Sequence, residues 1–164
     1  MIKLIVLDVD GCMTNGAISY LSNGDEMKSF NVKDGLAIAS WIRMGRKAAI
    51  ITGRVSSIVT RRAKELGICH LYQNVKDKKA KLDEIVKKEN ISLEEVAVIG
   101  DDLNDYKMLK EAGLSFAPAD ASFYIKNIVN VVLNKKGGEG AVREMIEYII
   151  KKENLEEEFL RLWV

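Results

Sequence analysis

The chain has 164 residues, 48% hydrophobic and 30% charged, which is enough for one well-formed core and too few for two ordinary domains. Its 25 basic and 24 acidic residues nearly cancel, so no charge footprint points to nucleic acid or to an anionic membrane surface. No apolar run reaches the roughly 18 residues that span a bilayer, no cleavable signal is expected, and the two cysteines, Cys12 and Cys69, cannot build a disulfide framework, so a cytoplasmic protein with reduced thiols is expected.

Ile2 to Leu7 is a near-continuous run of Ile, Leu and Val closing on Asp8-Val9-Asp10-Gly11, the pattern of a strand buried on both faces. Ala17 to Phe30 follows with Ile18 and Tyr20, an Asn-Gly turn within Ser22 to Asp25, then Met27 and Phe30, which predicts a β-hairpin over about residues 17–31. A hairpin is too small to be stable alone, so it is expected to pack on this domain or on another copy of the chain. Helical periodicity then appears at Leu36 to Met44, Ser56 to Leu66, Lys78 to Glu89, Asp102 to Glu111 and Ala141 to Lys152, with Gly45, Gly67 and Gly113 as stops for the first, second and fourth. Strand-like runs fall between them at Ala48 to Ile51, Val96 to Ile99 and Val129 to Leu133, with shorter candidates at Ile68 to Tyr72 and Leu114 to Ala117. The closing segment, 153–164, sets Leu155, Phe159, Leu160, Leu162 and Trp163 at helical spacing, an apolar set ill-suited to solvent. Strand and helix alternate, which predicts an α/β fold: one doubly wound, mainly parallel sheet with helices on both faces and a hairpin inserted after the first strand.

In such a sheet, ligands bind beyond the carboxyl ends of the strands. After the first strand come Asp8 and Asp10; after the second, Thr52-Gly53-Arg54; near the weaker third, Lys78; after the fourth, Gly100-Asp101-Asp102, with Asp105 one helical turn on. Asp8 and Asp10 are two residues apart and share one side of the sheet if the chain stays extended. Like charges that close call for a cation, and with Asp101 they form an oxygen-only set of the kind that suits Mg²⁺. Thr52 and Lys78 add a hydroxyl donor and a positive charge, as a metal-held phosphoryl group requires. Each residue has a plainer reading. Asp102 serves equally as a helix N-cap, and Lys78 sits among Lys76, Lys79 and Lys81, a run that is ordinarily a solvated face. Thr52 closes a strand, Arg54 can pair with a helix carboxylate, and the lone His70 reads as an ordinary strand residue. Their collection at successive strand ends favours the joint reading, a phosphoryl site.

Asp8-Val-Asp-Gly-Cys-Met-Thr14, Ile51-Thr-Gly-Arg54, Lys78 and Gly100-Asp-Asp-Leu-Asn-Asp105 together resemble the four ordered motifs of the haloacid-dehalogenase-like phosphatases, over Ile2 to about Ala117. The resemblance implies that Asp8 is a nucleophile forming an aspartyl-phosphate and that Asp10 is the general acid, then the general base. It implies that Thr52 and Lys78 bind phosphoryl oxygens, and that Asp8, Asp101 and the Asp10 carbonyl hold Mg²⁺ with Asp102 and Asp105 close behind. Larger members carry a cap domain; here Asn15 to Gly45 and Val55 to Gln73 leave about 31 and 19 residues, so no cap domain is expected.

The finer pattern is similar to the group acting on 3-deoxy-D-manno-octulosonate (KDO) 8-phosphate: Thr14-Asn-Gly16, Phe30-Asn-Val-Lys-Asp-Gly35, Arg62, Leu71-Tyr-Gln73 and Gly137-Gly-Glu-Gly-Ala-Val-Arg-Glu144. That likeness implies a homotetramer built through the hairpins, a C-terminal tail reaching a neighbouring site, and Gly53, Arg54, Arg62 and Arg143 as candidates for contacts to a small phosphorylated acidic sugar. Asn74 stands where the group usually has Gly, and Asp77 where it commonly has Asn. Two alternatives accompany this expectation. One is phosphatase action on a related acidic nonose 9-phosphate. The other is a phospho-aspartate receiver-like signalling domain, in which the acids, hydroxyl and lysine come in a different order along the chain.

Overall fold

The computed structural model describes residues 1–164. Its strands are β1 (Leu4–Leu7), β2 (Ser19–Tyr20), β3 (Glu26–Met27), β4 (Lys47–Ile51), β5 (His70–Tyr72), β6 (Val96–Ile99), β7 (Leu114–Ala117) and β8 (Val131–Val132). Six of them form one sheet in the order β5-β4-β1-β6-β7-β8, every neighbouring pair parallel, and β2 and β3 form the separate antiparallel hairpin. The chain reverses direction across the sheet between β4 and β6, on either side of the central β1. A crevice therefore opens at the end of β1, where Asp8 and Asp10 lie.

The helices are α1 (Val32–Arg43), α2 (Ser57–Leu66), α3 (Lys78–Glu89), α4 (Tyr106–Glu111), α5 (Phe123–Lys126), α6 (Ala141–Lys152) and α7 (Glu156–Leu160). Alternation within β1 divides the core. Ile5 and Leu7 pack with α1, α2, α6 and α7 on one face, through residues such as Trp41, Val59, Met145 and Phe159. Leu4 and Val6 face the other way, into Leu82, Ile85, Met108 and Ile125 of α3, α4 and α5.

Three elements differ from the sequence expectation. Helix α1 begins at Val32, four residues before the periodicity starts, because the Asn31 side chain accepts from the Lys33 and Asp34 amides and caps it. The segment from Asp102 to Glu111 is a tight turn over Leu103–Asp105 followed by α4, and the strand expected over Val129 to Leu133 pairs only at Val131 and Val132. The closing segment forms α7, which buries Leu155 and Phe159 in the chain's own core while Leu160 and Trp163 remain exposed.

Candidate active site

Asp8 follows β1 directly, and its amide donates to the Ile99 carbonyl at 3.2 Å, extending the parallel pairing one residue beyond the strand. The chain then leaves the extended path: Val9–Met13 forms a wide turn closed by the Thr14 amide on the Val9 carbonyl, with Gly11 at φ 95°. A Cβ on Gly11 would stand 2.0 Å from Asp101 Oδ2, so only glycine lets the two strand ends approach this closely. The Gly137-Gly138 segment closes over the same turn, the Gly138 amide donating to the Cys12 carbonyl at 3.0 Å.

Lys78, the first residue of α3, is buried, unlike the lysines around it, and donates from Nζ to Asp8 Oδ1 and Asp105 Oδ1, each at 2.6 Å. Asp105 is wholly buried; its other oxygen accepts from the Asp101 amide at 3.0 Å and the Asp102 amide at 3.4 Å, fixing the loop after β6. Asp102 turns outward and caps the following turn by accepting from the Leu103 amide at 2.8 Å. Asp10 leans towards the hairpin, where Lys28 Nζ donates to its Oδ1 at 2.6 Å. Glu26 Oε1 lies 3.4 Å from Lys28 and accepts from Arg54 Nη2 at 3.0 Å, while Arg54 Nε stands 4.0 Å from Asp10 Oδ2. Asp8, Asp10, Gly16, Thr52, Gly53, Arg54, Asp101, Asp102 and Asn104 enclose a cleft of about 270 Å³ with no apolar residue in its lining.

Burial, and then the Asp105 charge, drive the Asp8 pKa well above the usual carboxylate range despite Lys78. Burial followed by Asp105 and Asp102 pushes Asp101 up to about 7. Burial works against the Lys78 ammonium, but Asp8 and Asp105 outweigh it and hold its pKa above that of an ordinary lysine. This pattern is that of a site short of positive charge. Asp8, Asp101 and the Cys12 sulfur offer ligand atoms within 4.8 Å of one another. Burial and then Asp8 raise the Cys12 thiol far above its normal pKa, and its soft sulfur suits a hard cation less well than oxygen does. The effective donors are carboxylate oxygens, which fit a hard divalent cation and not zinc.

The model of the haloacid dehalogenase-like hydrolase family matches residues 46–146. The chain belongs to the haloacid dehalogenase-like hydrolases. Within that family it is 39% identical to the 3-deoxy-D-manno-octulosonate 8-phosphate phosphatase of Haemophilus influenzae, over 92% of this chain and 83% of that protein. It is 42% identical to the corresponding phosphatase of Yersinia pestis, over 91% and 80% of the two chains. A crystal structure of the Moraxella catarrhalis phosphatase, in complex with a magnesium ion, a phosphate ion and a KDO molecule, matches with a TM-score of 0.96 at 42% identity, covering 99% of this chain and 94% of that one.

Local conformation accounts for the two departures noted in the sequence. Asn74 adopts φ 56°, a left-handed conformation that suits Gly and that Asn tolerates better than most residues. Asp77 caps α3 by accepting from the Ala80 amide at 3.0 Å, a task Asn performs equally well. One chain gathers Asp8, Asp10, Thr52, Gly53, Arg54, Lys78, Asp101, Asp102 and Asp105 but does not bring Arg62 or Arg143 to the cleft. Arg62 lies across Gly35, its guanidinium 5.7 Å from the Phe30 ring centre, and the α6 residue Arg143 pairs with Glu147. Lys28 and Glu26 were not foreseen in the sequence, and Asn104, which lines the cleft, was met there only as a member of the Gly100 to Asp105 motif. The one signal for the hairpin pair was alternation: Glu26 and Lys28 flank Met27 on the same face of the hairpin, a polar face turned towards Asp10.

Proposed function

We propose that this protein is a Mg²⁺-dependent phosphomonoesterase that hydrolyses 3-deoxy-D-manno-octulosonate 8-phosphate through an aspartyl-phosphate on Asp8. One observation carries the reading: a buried lysine held on the carboxylate that follows β1, beside a second carboxylate from β6 with no cation of its own. Asp8 and Asp101 would hold the metal together with the Asp10 main chain, and the bound cation would neutralise the repulsion between the Asp8 carboxylate and a phosphate dianion.

In the first displacement an Asp8 oxygen bonds to phosphorus, the bond from phosphorus to the sugar oxygen breaks, and Asp10 gives that oxygen a proton. In the second, Asp10 takes a proton from water as its oxygen attacks phosphorus, and the bond to Asp8 breaks. Thr52 and Lys78 bind the phosphoryl oxygens and spread their charge. Arg54, at the cleft mouth, gives the acidic sugar a positive partner. The names and bound KDO of the relatives support the choice of substrate. The hairpin's exposed Ile18, Tyr20, Leu21 and Met27 support its use in a homotetramer, in which Arg62, Arg143 and the tail's Leu160 and Trp163 would meet a neighbouring site. Two free cysteines and the absence of any helix long and apolar enough to cross a membrane support a cytoplasmic location.

Phosphate release from KDO 8-phosphate and from the 9-phosphates of sialic acid and its deaminated analogue KDN, with and without chelator, tests the reading. Chelator-sensitive turnover with the highest kcat/KM on the octulosonate is expected. A higher value on a nonose phosphate would move the assignment to that substrate, and a long-lived phosphoprotein without turnover would replace catalysis with signalling.

A further inference from the structure

The hairpin grips Asp10 from outside the cleft. Lys28 lies just beyond β3 on an otherwise open hairpin, yet its side chain is only 1% exposed. Its ammonium reaches Asp10 Oδ1 at 2.6 Å and Glu26 Oε1 at 3.4 Å. Glu26 in turn accepts from Arg54 at 3.0 Å. Asp10 and Arg54 line the cleft, whereas Lys28 does not. A ligand in the cleft therefore meets Asp10 and leaves Lys28 untouched. Burying an ammonium group is costly unless its partners are well aligned, so a lysine here holds a defined geometry more than it adds stability. A short charge-assisted bond occupies one oxygen of Asp10, and the other, Oδ2, faces Arg54 at 4.0 Å.

We infer that Lys28 is a positioning residue: it clamps Oδ1 of Asp10 so that Oδ2 alone carries the proton to the leaving oxygen and takes it back from water. The inference rests on the acid–base role proposed above for Asp10. In each displacement the bonds to phosphorus change as already described, and only the oxygen that moves the proton is newly specified. Through Lys28 and Glu26, the hairpin then aims the acid–base group, and any partner that shifts the hairpin shifts that aim. A misplacement of about 1 Å at such a group costs on the order of 100-fold in rate.

The test compares Lys28→Met and Lys28→Arg with the native enzyme on two esters, the octulosonate phosphate and p-nitrophenyl phosphate, using kcat/KM as the measure of the first displacement. The sugar alkoxide needs a proton to leave and the nitrophenolate does not. Lys28→Met is expected to lower kcat/KM on the sugar ester by about 30-fold, within the range general acid catalysis contributes, with KM nearly unchanged. On the aryl ester the loss should stay below about threefold by the same reasoning, and Lys28→Arg should restore most of the lost rate. Equal losses on both esters would show a merely structural lysine and overturn the inference, as would no loss on either. A native enzyme without chelator-sensitive turnover of the sugar ester would instead defeat the functional reading, and the positioning role with it.

Discussion

At the scale of single residues, the cleft concentrates negative charge and answers it with two buried ammonium groups, Lys78 on Asp8 and Lys28 on Asp10. Asp8→Asn should abolish phosphate release while circular dichroism and the melting profile stay close to native, since the amide fits the same space. Lys78→Ala should do more than weaken phosphate binding. Asp8 and Asp105 would lose their shared partner in a buried setting, so the variant should also lose about 3 kcal/mol of stability in denaturant titrations. A third buried acid lies away from the cleft. Asp34 accepts the Arg143 amide at 2.8 Å through Oδ1, while its Oδ2 has no partner, and burial pushes its pKa up to about 6 against the pull of Arg143 and Arg62. The folded state therefore binds this proton more tightly than the unfolded chain. The resulting stability is full below about pH 4 and is lost as pH rises through about 6, a change of about 3 kcal/mol. Asp34→Asn keeps the acceptor and removes the charge, so it should raise the melting temperature at pH 7.5 and leave it nearly unchanged at pH 4; an equal effect at both would refute the assignment.

At the scale of elements, caps and backbone turns place the chemistry more than helix propensity does. Helix α3 starts on Asp77, and that start fixes Lys78 as its first residue, buried, while Lys76 beside it remains in solvent. The tight turn after Asp102 buries Asp105 and lets it hold both the preceding amides and Lys78. Gly11 in the left-handed region brings the first loop against Asp101. The tail helix α7 is an integral part of the core on its face of the sheet, through Leu155 and Phe159. Phe159→Ala should destabilise the chain by about 3 kcal/mol in urea unfolding, with Asp8 and its neighbours undisturbed. A variant as stable as the native protein would show that the tail is seated elsewhere in solution.

For the molecule as a whole, a capless domain leaves its cleft open and polar, so selectivity for a sugar needs walls from elsewhere. The exposed apolar residues of the hairpin and the arginines distant from the cleft, Arg62 and Arg143, are consistent with walls supplied by other copies. Sedimentation should report about four times the 18.4 kDa of one chain. Ile18→Asp on the hairpin should shift that mass downward and reduce turnover of the sugar ester. A native mass equal to one chain would remove the shared site.

Much of this was legible in the amino-acid order. Apolar runs of length four to six, alternating with helical periodicity, announced a parallel sheet, and the acids, hydroxyl and lysine at its strand ends announced a phosphoryl site. Such features depend on local periodicity and on the rule that ligands collect at strand carboxyl ends. The roles of Asp102 and Lys78 stayed open because a cap and a ligand, or a buried and a solvated lysine, look the same in a linear sequence. Only the packed molecule made Asp102 a cap and Lys78 a bridge, brought Cys12 beside the carboxylates, and turned Lys28 onto Asp10. The Asp102 cap is a contact to the next residue, but the others join separate segments of the chain and arise from the way the hairpin and helices close over the sheet edge, which no local pattern encodes.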